Sequence, residues 1–107
     1  VPVNDVAGDT AQSLPDIAVD LLGNSVAVWT DNRNGSEDIF AASLPTHAHL
    51  WGPDVRADDG TAGTIQRGPA VSIDSRGRAV AVWADDRGGD FDIYWAEKAP
   101  GSRTWAA

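Results

Sequence analysis

The stretch Val26-Ala-Val-Trp-Thr-Asp31-Asn-Arg-Asn-Gly-Ser-Glu-Asp38-Ile-Phe-Ala-Ala-Ser43 decides the fold. Two runs rich in β-branched and aromatic residues flank a polar loop that carries a glycine, the pattern of a β-hairpin. Apolar residues at successive positions of Val26–Thr30 predict a strand covered on both faces. The stretch occurs a second time, as Val80-Ala-Val-Trp-Ala84, Asp85-Asp-Arg-Gly-Gly-Asp-Phe-Asp92 and Ile93-Tyr-Trp-Ala-Glu97, at an offset of 54 residues. Aligned without a gap, residues 1–53 and 55–107 are identical at 18 of 53 positions, against about 3 expected by chance. The chain is therefore a duplication, with units at 1–54 and 55–107.

Outward from the hairpin, each unit predicts two more strands. Strand A is Pro15–Asp20 and Pro69–Asp74, opening on proline where a missing N–H is tolerated. The turns at Asp20-Leu-Leu-Gly23 and Asp74-Ser-Arg-Gly77 lead into strand B of the hairpin. After strand C, a polar connection reaches Trp51 and Trp105, which open a more polar strand D running through Val55 and Arg56 in the first unit. Four short antiparallel strands in meander order, repeated at this period, predict an all-β chain of two β-propeller blades. The competing architecture is one eight-stranded β-sandwich, which needs strands alternating apolar-in and polar-out and polar far sides. Val26-Ala-Val-Trp29 breaks that alternation.

The 107 residues carry a formal charge of −8, which disfavours nucleic acid and anionic membranes as partners. No run approaches the length of a membrane-spanning helix. With no cysteine, disulfides and thiolate sites are excluded. The chain has no Met and opens on Val1, so a processed or excised piece is expected.

In a meander the B–C and D–A loops emerge together, gathering many carboxylates at one end. Asp31, Arg33, Gly35 and Asp38, with Asp85, Arg87, Gly89 and Asp92, form the expected structural clasp of each hairpin. Asp5, Asp58, Asp59, Asp86 and Asp90 are candidate ligands for Ca²⁺, a hard cation that takes carboxylate oxygens. Trp29 and Trp83 read as core. Trp51 and Trp105, at the start of the outer strand, are the candidate exposed aromatics for stacking on sugar rings. His47 and His49 have no counterparts in the second unit and read as loop, and Asn34-Gly-Ser36 is a formal glycosylation sequon.

The pattern Trp-x-Asp-x-Arg-x-Gly-x-x-Asp-Ile-(Phe/Tyr), at Trp29–Phe40 and Trp83–Tyr94, resembles the repeat of bacterial secreted, sialidase-like β-propellers. Of the Asp-box those repeats commonly carry, Trp51 and Trp105 are retained. The resemblance implies a secreted, extracellular protein. Sialidase-like hydrolysis would need an arginine cluster, a Tyr nucleophile backed by Glu, and an Asp acid/base. Tyr94 lies within a strand and Arg33 and Arg87 recur with the repeat, so no residue is assigned to catalysis. Two blades cannot close a ring. Copies of the chain are the expected partners, as a six-bladed trimer or a head-to-tail filament, serving as a scaffold or glycan-binding surface. The remaining alternative is a fragment of a sialidase-like glycoside hydrolase.

Overall fold

The computed structural model describes residues 2–4 and 10–106, which are all β with no helix. Strands β1 (Gln12–Val19), β2 (Ser25–Asp31), β3 (Asp38–Leu44) and β4 (Val55–Arg56) form one antiparallel sheet in that order. Strands β5 (Gln66–Ile73), β6 (Ala79–Asp85) and β7 (Asp92–Lys98) form a second. The registers coincide at the repeat offset. Trp29 stands opposite Phe40 and Trp83 opposite Tyr94, and β1 and β5 each shift register, between Ser13 and Asp16 and between Arg67 and Ala70. The turns repeat as well: Asp20 Oδ1 accepts from the Leu22 and Asn24 amides, and Asp74 Oδ1 from those of Arg76 and Arg78.

The sheets pack through unlike faces. The first contributes Val26, Val28, Ile39 and Ala41 to the shared core; the second contributes Ala79, Ala81, Trp83 and Ala96. Val28 and Ile39 are fully buried, each worth about 2 kcal/mol relative to exposure. Strand β5 lies along β1 and β2, where the Gly68 amide donates to Thr30 Oγ1 at 3.0 Å and the Val71 amide to Asp16 Oδ2 at 2.9 Å. The far side of the first sheet holds a second cluster, Ala27, Trp29, Phe40 and Ala42, partly covered by Val3 and Trp51.

Two features differ from the sequence reading. Strand D is two residues long in the first unit and a single bridge, Glu97 to Ala106, in the second; positions aligning with Val55 and Arg56 fall after Ala107. Strand β1, which the blade reading expects to be covered on both faces like β2, is open on its outer side among the described residues: Ile17 is 55% and Val19 59% exposed. The far side of the second sheet is apolar yet open, with Val82, Ile93 and Trp95 at 39%, 73% and 52% exposure. That is not the polar exterior of a lone sandwich.

Candidate functional site

Both hairpins close on the same arrangement. Arg33 donates from its amide and Nε to Asp31 Oδ1, at 2.9 and 3.0 Å, and from Nη2 to Asp31 Oδ2 at 2.7 Å. Arg87 grips Asp85 likewise, at 3.0, 2.9 and 2.6 Å. The indole Nε1 of Trp29 reaches Asp31 Oδ2, and that of Trp83 reaches Asp85 Oδ2. Burial works to raise both carboxyls, but the bonds from arginine and tryptophan outweigh it, leaving Asp31 below its ordinary value and Asp85 at about 2. The arginines are held more firmly protonated than usual, first by the bond to the same aspartate. Each guanidinium also lies over the ring across the hairpin, Arg33 3.9 Å from Phe40 and Arg87 4.1 Å from Tyr94. Gly35 and Gly89 take φ of 97° and 104°, which L side chains rarely adopt.

The fourth clasp residue behaves differently in the two units. Asp38 accepts from Arg56 Nη2 at 2.9 Å and Asn34 Nδ2 at 3.0 Å, joining β3 to β4. Burial first, with Asp58 nearby, raises its carboxyl, against the Asn34 bond. Asp92 is exposed. Of the calcium candidates, Asp5 lies outside the described residues. Asp58 accepts from the Ile39 and Gly60 amides and from Arg56, Asp59 pairs with Arg87 at 3.0 Å, Asp86 accepts from the Ile65 amide, and Asp90 is exposed. These carboxylates are spread over separate donors. Among the described residues no group of three or more His, Asp or Glu side chains is arranged to hold a metal ion.

Trp51 and Trp105 are half-buried against the two cores, and Trp105 Nε1 is buried with no hydrogen-bond partner. The open aromatics are Trp95 and Phe91, at 52% and 51% exposure. A signal for them existed in the repeat alignment, where Trp95 replaces Ala41 and Phe91 replaces Glu37. Position by position, Val80, Val82, Ile93 and Trp95 align with Val26, Val28, Ile39 and Ala41, which form the first sheet's half of the shared core. The same surface is thus presented twice and covered once. The exposed copy is the candidate functional site, an apolar sheet face suited to association. The other exposed apolar surface, on the outer side of the first sheet, carries Ile17 and Val19 of β1, beside the covered cluster of Ala27, Trp29, Phe40 and Ala42. It aligns with Val71 and Ile73, on the side of the second sheet that packs inward. No protein-family model matches the sequence, and no curated protein matches it.

Proposed function

We propose that the chain is a non-catalytic, extracellular pair of β-propeller blades, akin to sialidase-like propeller repeats, that associates head to tail with copies of itself. In this reading the outer side of one copy's first sheet, around Ile17 and Val19, seats on the Val82, Ile93 and Trp95 face of the next. The observation that carries it is the repeated surface: the contact between the two sheets of one chain joins unlike faces, and the two outward faces, one open at Val82, Ile93 and Trp95 and one open at Ile17 and Val19, are the complementary pair. A heterologous contact of this kind closes into a ring when its rotation permits and otherwise grows as a filament. The scaffold role fits better than sugar stacking by Trp51 and Trp105, whose rings are partly covered.

Light scattering over a concentration series tests this. A particle of three chains supports a six-bladed ring, and a large polydisperse mass supports a filament. A single-chain mass at every concentration contradicts the proposal. A glycan array probed with the assembled form then separates the two roles, sugar binding supporting a recognition surface and its absence a scaffold alone.

A further inference from the structure

At the end of the strands away from the arginine clasps, the two sheets and their turns border a partly open cavity of about 340 Å³. Its wall includes Val26, Leu44, Val55, Ile73 and Pro100, and Lys98 lines it from β7. Lys98 is 5% exposed. Its Nζ donates to the Ser102 carbonyl at 3.0 Å and forms no ion pair among the described residues. Burying an ammonium without a counter-ion is costly, and that burial lowers the pKa of Lys98.

The repeat says that folding does not require this charge. The aligned residue in the first unit is Leu44, which lines the same cavity. The disposition of the other basic residues points the same way. Of eight Lys and Arg residues, Arg33, Arg56, Arg67, Arg78 and Arg87 each pair with a carboxylate. The remaining three, Arg76, Lys98 and Arg103, make no ion pair among the described residues, and all three line the cavity. The acid that lines it, Asp20, is occupied by the Leu22 and Asn24 amides and by Asn24 Nδ2, each at 2.9 Å. In a chain of net charge −8 this is a local reversal of sign.

We propose that the cavity binds a small monocarboxylate with an apolar body, the carboxylate seated on Lys98 Nζ. One buried ammonium matches one negative charge, and Asp20 at the wall disfavours a second. The aliphatic lining suits a short alkyl or aryl group better than a polyhydroxylated one. The volume is at the lower end of the range for small-molecule sites. The site lies between the two sheets of a single chain, so it is independent of self-association.

The test is calorimetric titration of the intact chain and of Lys98→Leu with benzoate and butanoate, using benzamide as the neutral counterpart. Lys98→Leu installs the residue that the first unit already carries, and circular dichroism confirms its fold. The expected result is saturable binding of the carboxylates to the parent chain, weakened about tenfold or more in the variant, as loss of a charge-assisted hydrogen bond requires. Benzamide is expected to bind both proteins equally weakly. No saturable carboxylate binding to the parent chain, or equal affinity in Lys98→Leu, overturns the proposal.

Discussion

Trp29 and Asp31 stand two residues apart on one face of β2, and the indole Nε1 donates to Asp31 Oδ2 at 2.9 Å. The tryptophan is thus both a core side chain and one of the donors that hold a buried carboxylate, a second duty repeated by Trp83 on Asp85. Trp29→Phe keeps most of the packing and removes one donor, with an expected loss of about 1–2 kcal/mol in urea unfolding. Asp31→Ala leaves Arg33 its pair with Asp54 at 2.8 Å but removes three bonds from Arg33 and the acceptor of the buried Trp29 indole, and is expected to cost about 3 kcal/mol. Equal losses from the two variants would show that the carboxylate contributes nothing beyond its bond to the indole.

The same clasp sets an acid limit. Asp85 has a folded-state pKa depressed to about 2, so its contribution is complete above its unfolded value near 4 and is lost as pH falls towards 2. That contribution is on the order of 2 kcal/mol. Asp31 acts in the same direction. Asp38, whose carboxyl is raised by burial, acts oppositely, its ionised form being the costly one, so protonation through its folded pKa relieves part of the loss. Unfolding free energy is expected to fall between pH 4 and 2, with a shallower slope in Asp85→Asn. An unchanged slope in that variant would remove Asp85 from the account.

The hairpins, their common register and the arginine clasp were legible because each rests on short-range chemistry: β-branched strands, a glycine at positive φ, and Asp and Arg two residues apart. The indole bond was not, since a tryptophan in apolar company gives no sign of where its N–H points. The exposure of Ile17 and Val19 depends on what covers β1, which local pattern does not state. Trp95, Phe91 and Lys98 share a different signal. Each departs from its aligned residue, Ala41, Glu37 and Leu44, and in a duplicated chain such departures mark where the second unit does something the fold does not demand.

Where the sheets join, Thr30 Oγ1 accepts from the Gly68 amide and Asp16 Oδ2 from the Val71 amide. Thr30→Val is expected to cost about 1 kcal/mol and to raise the hydrogen-exchange rate at Gly68 while leaving that of Val71 nearly unchanged. Asp16→Ala should do the reverse. If both variants quickened both amides equally, the two bonds would be reporting global opening instead of local contacts.

Lys98 carries a buried charge at a position where the first unit has Leu44. Without added ligand, Lys98→Leu is therefore expected to raise stability by about 1–2 kcal/mol, measured as a shift in urea midpoint at constant slope. A drop in stability would mean that the Ser102 carbonyl compensates the ammonium fully.

Ile93 and Ile17 are largely exposed, so an aspartate at either position spares the fold of one chain and places a charge on one of the two free faces. The most direct test mixes the two variants, each first measured alone by sedimentation velocity. Ile93→Asp and Ile17→Asp are each expected to sediment as single chains, and their equimolar mixture as a two-chain species, the intact face of one meeting the intact face of the other. A mixture that stays at single-chain mass, or one variant that still self-associates unaided, would contradict head-to-tail association.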